Sequence, residues 1–115
     1  MNQNEATPAV YRRGHRPSDQ LPAMKEKAFM KQVVELAKRL HWETYHPWLS
    51  VYSAAGWPDL ALVKPPRLIL AELKSAKGKV SAAQQKWLDL LRQCPGVEVY
   101  VWRPDDLDQI AEVLQ

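Results

Sequence analysis

The chain has a single cysteine, no apolar run approaching the thickness of a bilayer, and no internal repeat. Its one thiol, Cys94, excludes an internal disulfide framework and any zinc site built on cysteines, and beside Pro95 and Gly96 it is incidental. Apolar runs such as Leu68 to Ala71 fall far short of the roughly 20 residues that cross a membrane. The N-terminus lacks an apolar signal core, so a cytoplasmic protein without a membrane partner is expected. No helix-turn-helix, zinc finger or other base-reading motif is present. Charge of one sign is lacking as well: 16 Lys and Arg against 13 Asp and Glu leave a net charge of +3, an excess compatible with a polyanionic partner but weak by itself.

What is present suits one compact domain. A chain of 115 residues, 46% of them hydrophobic, buries about two thirds of its unfolded surface. Residues 1 to 20 carry a basic cluster, Arg12, Arg13, His15 and Arg16, without an apolar period. They are expected to form a flexible basic arm ahead of a folded domain at 21–115. From Pro22 to Leu40, Phe29, Val33, Ala37 and Leu40 recur at steps of four, four and three, which predicts an amphipathic helix.

Trp42 to Trp48 suits a first strand, and a loop from Leu49 to Trp57 follows. Asp59–Val63 and Arg67–Leu73 are apolar runs joined through Pro65 and Pro66, two strands that should pair antiparallel. Ser81 opens a second helix bearing Trp87, Leu88 and Leu91, which Pro95 and Gly96 end. Val97 to Trp102 is a strand, and Pro104 starts a last helix through Leu107, Ile110 and Leu114. The expected fold is α/β, in the order αβββαβα.

The hairpin carries the chemistry. With Pro65 and Pro66 at its centre, Asp59 falls opposite Glu72 on one face. Directly opposed carboxylates, roughly 5 Å apart at Cβ, repel one another, and a divalent cation held between them removes the conflict. Strand alternation sends Lys74 to the same side as Glu72 and Leu73 to the other. Two acids and an ammonium suit phosphodiester hydrolysis, in which a metal activates water and the ammonium steadies the developing charge. The plainer alternative makes Glu72 and Lys74 a surface ion pair on an edge strand. Against it, Leu68, Ile69, Leu70, Ala71 and Leu73 fill both faces, which implies a central buried strand.

The run Gly56, Trp57, Pro58, Asp59, Leu60, followed by Ala71, Glu72, Leu73, Lys74, Ser75, resembles the PD-(D/E)-X-K nuclease signature. With Trp42–His46, Gly78–Trp87 and Val97–Asp106 in order, the chain from about residue 24 resembles the virus-type replication-repair nuclease (VRR-NUC) domain in its stand-alone form. The resemblance implies a restriction-endonuclease-like core, a mixed four-stranded sheet flanked by helices. It further implies that Asp59, Glu72 and the Leu73 carbonyl bind Mg²⁺ or Mn²⁺, that Lys74 assists catalysis, and that Glu26 and Gln84 contribute from the first and second helices. Glu26 has an ordinary explanation, since an acid is favoured in a helix's first turn. Glu35 is a rival acid more than two turns further along. Gln84 also fits a capping box with Ser81. His46 falls where the family carries Tyr-His, though a lone strand-end histidine is more often structural. Trp42, Trp87 and Trp102 read as core, while a DNA-facing role stays open for Trp57.

Lys77, Lys79 and Lys86, with Arg12 and Arg13 of the arm, are the main candidate phosphate contacts, and Lys64 and Arg67 are further ones. The resemblance implies a Holliday-junction resolvase-like endonuclease acting on branched DNA in repair, as a homodimer, and in the host cytoplasm for a phage protein. The alternatives are a nuclease acting on flaps, nicks or plain duplex, and a non-catalytic DNA-binding module on the same fold.

Overall fold

The computed structural model describes residues 17–47 and 54–115, with side chains from Glu26 onward. Helix α1 (Pro17–Arg39) leads into β1 (Glu43–Tyr45), β2 (Leu60–Lys64) and β3 (Arg67–Leu73). Helix α2 (Ala82–Arg92), β4 (Val97–Trp102), a 3-10 turn at Pro104–Asp106 and α3 (Leu107–Leu114) complete the chain. The strands form one mixed sheet in the order β1-β2-β3-β4, antiparallel except for the parallel pair β3 and β4. A parallel pair needs a crossover connection, and α2 supplies it. The α/β class and the element order are those expected from the sequence.

The hairpin register is also as predicted: Leu60 pairs with Ala71, Leu62 with Ile69 and Lys64 with Arg67. With side chains alternating along each strand, Leu60, Leu62, Ile69, Ala71, Leu73 and Trp102 share one face. They pack with Phe29, Val33 and Ala37 of α1 and with Ile110 and Leu114 of α3 into one buried core. Each large side chain so buried contributes about 1.5–3 kcal/mol. That packing fixes how α1 lies across the sheet.

Element boundaries differ from expectation at the first helix and the first strand, and the second strand spans Leu60–Lys64 instead of Asp59–Val63. Helix α1 begins at Pro17, so residues 17–20, expected to belong to the arm, are helical. A proline is tolerated in a helix's first turn, where its missing N–H has no helical partner to lose. The first strand is three residues long rather than seven. Trp42, expected in that strand, is buried just before it and donates its indole N–H to the Leu114 carbonyl at 2.8 Å. Arg12 and Arg13, with His15, Arg16 and Trp48, lie outside the described residues.

Candidate active site

The segment that delivers Asp59 is docked on α2 by its backbone. Gly56 sits at φ +85°, and a Cβ there would lie 2.4 Å from the Ala83 carbonyl carbon and 2.7 Å from the Gln84 nitrogen. Only glycine allows so close an approach in that conformation. Trp87 of α2 donates its indole N–H to the Ala55 carbonyl at 3.0 Å and meets Trp57 edge to face at 4.9 Å between centroids. Pro58 is buried, and Asp59 follows just before β2. Trp87, expected in the core, is instead half-buried against this loop, while Trp57 remains 38% exposed.

Asp59 is then tied to the neighbouring strand, its Oδ2 accepting a hydrogen bond from the Leu73 N–H at 2.9 Å. Glu72 is buried, 1% exposed. Its Oε2 lies 3.4 Å from Lys74 Nζ, and its Oε1 has no hydrogen-bond partner. The Lys74 side chain is only 12% exposed. Since β3 lies between β2 and β4, the pair is internal, and the alternative of a surface ion pair on an edge strand does not describe it. Leu73 points the opposite way, into the core.

An internal carboxylate with one orphaned oxygen is expensive, because burial strips its hydration and a single ammonium does not restore it. Burial, aided by the negative charge of Asp59 and opposed by Lys74, pushes the Glu72 carboxyl up to about 7. A divalent cation fits this arrangement. Glu72 Oε1 is a hard oxygen donor without a partner, Asp59 stands beside it, and the Leu73 carbonyl lies between Glu72 and Lys74 in sequence. Mg²⁺ uses one or two carboxylates and keeps several waters. Among the described residues no three acids, histidines or cysteines cluster closely enough to hold a metal by themselves.

Glu26, Asp59, Leu73 and His46 line one cavity of about 580 Å³ between α1 and the sheet. Glu26 thus shares a cavity with Asp59 that Glu72 and Lys74 do not line, and it does not join Asp59 and Glu72 in a three-acid cluster. Glu35 does not line that cavity. Gln84 lines an adjoining cavity of about 450 Å³ with Asp59, Trp57 and Gly56. It also makes both bonds of the capping box, accepting from Ser81 N–H at 2.8 Å while its own N–H donates to Ser81 Oγ at 3.1 Å. Gln84 is thus a capping residue that also shares a cavity with Asp59.

The basic residues divide into two groups. Lys64 donates to the Leu40 carbonyl at 3.0 Å. Arg67 makes two 2.7 Å bonds to Glu98 and stacks 4.9 Å from the Trp42 ring centroid. Both were candidate phosphate contacts and both are held by the fold, since their partners lie within reach on adjacent elements. Lys77 and Lys79 are exposed on the loop leaving Lys74, and Lys86 lies 5.7 Å from the Trp87 ring centroid.

Two lysines of α1 were missed from the sequence. Lys27 and Lys31, one turn apart, line the Asp59 cavity with Met30 and Val34. The available signal was their flank: both adjoin the Phe29–Val33 stripe that packs on the sheet, on the side that turns toward Glu26.

A family model described as the VRR-NUC domain matches residues 1–105. A solved structure described as a VRR_NUC domain protein is similar over 79% of this chain and 85% of its own, at 19% sequence identity and a TM-score of 0.61. That likeness shows the shared fold. No curated protein matches the chain.

Proposed function

The chain belongs to the VRR-NUC domain family, and from that premise we propose that it is a metal-dependent, structure-specific endonuclease that hydrolyses phosphodiester bonds in branched DNA. Family membership supports the coarser part, a nuclease-type function. The observation that supports metal-assisted hydrolysis is the trio itself: buried Glu72 has Oε2 3.4 Å from the Lys74 ammonium and leaves Oε1 unpartnered, with Asp59 beside it. Burying such a set costs stability, and hydrolysis of a phosphodiester is chemistry that needs it.

Asp59 and Glu72, with the Leu73 carbonyl, would hold Mg²⁺ or Mn²⁺, and Glu26 would act across the cavity. When bound, the cation supplies a Lewis acid that makes water nucleophilic near neutral pH. The chain's own groups do the remaining work. Lys74 Nζ, fixed against Glu72, offsets the charge that develops on the phosphate as water attacks phosphorus and the P–O ester bond breaks. The Leu73 N–H keeps the Asp59 carboxylate in place. Lys77, Lys79 and Lys86 engage flanking phosphates, an interaction that reads backbone shape rather than sequence. Arg12 and Arg13 extend that contact. A homodimer would supply the paired incisions that a symmetric four-way junction requires.

The test is cleavage by wild type with Mg²⁺ on labelled four-way junction, flap, nicked and plain duplex substrates of shared sequence. Preferential paired incision of the junction is expected. Equal cutting of plain duplex would remove the branch preference. Binding to the junction in Ca²⁺ without cutting any substrate in Mg²⁺ or Mn²⁺ would make the domain a binding module.

A further inference from the structure

Arg103 follows β4 directly and belongs to none of the groups considered above. Its Nη1 donates to the carbonyls of Ser75 and Gly78, both at 2.7 Å, and lies 3.5 Å from that of Ala76. The loop that leaves Lys74 thus has three carbonyls turned toward one nitrogen. Arg103 is held in turn: its backbone N–H donates to Asp106 Oδ2 at 2.8 Å, closing the 3-10 turn. The residue before it, Trp102, accepts the Lys74 N–H at 2.9 Å. Arg103 therefore joins the end of β4 to the whole of the loop that follows β3.

The loop returns onto Lys74. A methyl on Gly78 would lie 3.0 Å from Ser75 Oγ and 3.6 Å from Lys74 Cδ, so the Gly78 backbone lies close to the lysine stem. Lysine has four rotatable side-chain bonds and loses entropy when held. The Glu72 contact at 3.4 Å constrains its tip, and Gly78 borders its middle. Among the described residues the Arg103 guanidinium has carbonyl partners and no carboxylate, so its charge is not cancelled locally. Carbonyl oxygens left facing a phosphate would repel it, and bound to Arg103 they are occupied.

We infer that Arg103 is a positioning residue: its guanidinium fixes the 75–78 loop so that the loop braces the Lys74 stem and presents Lys77 and Lys79 beside it. The inference rests on the nuclease reading for its effect on turnover, but not for its effect on the loop. A misplacement of about 1 Å at a reacting group can cost roughly a hundredfold in rate, so loss of the brace reaches turnover without Arg103 touching substrate. Two bonds from a single nitrogen can be imitated by an ammonium on a slightly shorter arm, but not by an apolar chain.

The test compares wild type with Arg103→Met and Arg103→Lys in three measurements: thermal unfolding, trypsin cleavage after Lys77 and Lys79 followed by mass spectrometry, and steady-state cleavage of branched DNA. For Arg103→Met, trypsin should cut these two sites at least about tenfold faster at temperatures well below unfolding. Its kcat should fall roughly tenfold or more, with a smaller change in KM. Arg103→Lys should lie between it and wild type in both. Unchanged trypsin rates in Arg103→Met would overturn the inference, as would faster proteolysis with unchanged kcat. Should Arg103→Met fail to fold, Arg103→Lys decides: faster trypsin cleavage at these two sites together with lowered kcat supports the clamp, and wild-type values in both overturn it. Should wild type cut no DNA, the nuclease reading falls, and the trypsin rates alone uphold or overturn the loop clamp.

Discussion

Asp59 is held by the strand it faces, its Oδ2 taking the Leu73 N–H at 2.9 Å. The carboxylate is therefore placed by the same strand that carries Glu72 and Lys74, and its two functions, accepting a backbone hydrogen bond and bearing charge, can be separated. Asp59→Asn keeps an acceptor oxygen and should fold like wild type while losing cleavage. Asp59→Ala also leaves a buried N–H unpaired and should be less stable than Asp59→Asn by about 1–3 kcal/mol. Urea unfolding of the two variants checks this, and equal stabilities would remove the structural role of the bond.

Gly56 and Gly96 have nearly the same backbone conformation, φ +85° and +83°, in different surroundings. A Cβ on Gly96 meets nothing within 4 Å, whereas one on Gly56 collides with the first turn of α2. Both alanine variants bear the conformational strain, about 1–3 kcal/mol. Gly56→Ala should lose clearly more stability than Gly96→Ala and should also lose cleavage, because the loop carrying Asp59 must move. Matching losses in the two variants would show that close packing on α2 does not position that loop.

The pH dependence follows from Glu72. Its carboxyl is raised from 4.5 to about 7, chiefly by burial, so the folded state holds this proton more tightly than the unfolded state does. This contribution to stability is fully present below pH 4.5 and declines as pH rises through about 7. Metal-free protein should melt at lower temperature at pH 8 than at pH 5.5, and Glu72→Gln should reduce that fall. Mg²⁺ should stabilise wild type more at pH 8 than at pH 5.5, because the ionised carboxyl is the ligand. A wild-type fall left unaltered by Glu72→Gln would place its origin in other groups.

Cations held by the fold and cations left exposed should differ in their effect on DNA binding. Alanine at Lys77, Lys79, Lys27 or Lys31 should each lower the slope of log K against log salt by up to about 0.9, one phosphate contact, with little change in stability. Alanine at Lys64 or Arg67 should chiefly affect stability, through lost bonds to Leu40 and Glu98. Filter binding in Ca²⁺ over a salt series, beside urea unfolding, separates the two groups. An unchanged slope in all four exposed variants would contradict the assignment.

The fold and the trio were legible in the sequence because both depend on local rules. Apolar residues on both faces of Leu68–Leu73 marked a central buried strand, and the Pro65–Pro66 centre set the register that brings Asp59 beside Glu72. Less legible was whatever depended on distant partners. Trp42 looked like strand, but its fate was decided by the Leu114 carbonyl, 72 residues away. Lys64 and Arg67 looked like free cations until Leu40 and Glu98 closed on them. Arg103 stood inside the Val97–Asp106 block, but its role was not legible because its partners are backbone carbonyls, which every residue possesses. Helix α1 begins before the point at which its apolar period becomes visible, because residues 17–21 precede the stripe that starts at Phe29.

Metal-dependent cutting through Asp59 is tested by cleavage of a labelled four-way junction in Mg²⁺ by wild type and by Asp59→Asn, with binding in Ca²⁺ measured in parallel. Wild type should cut the junction, with incision abolished by chelation, and Asp59→Asn should not, although both bind it. Absence of incision by wild type in either Mg²⁺ or Mn²⁺, or full incision by Asp59→Asn, would contradict metal-dependent cutting through Asp59.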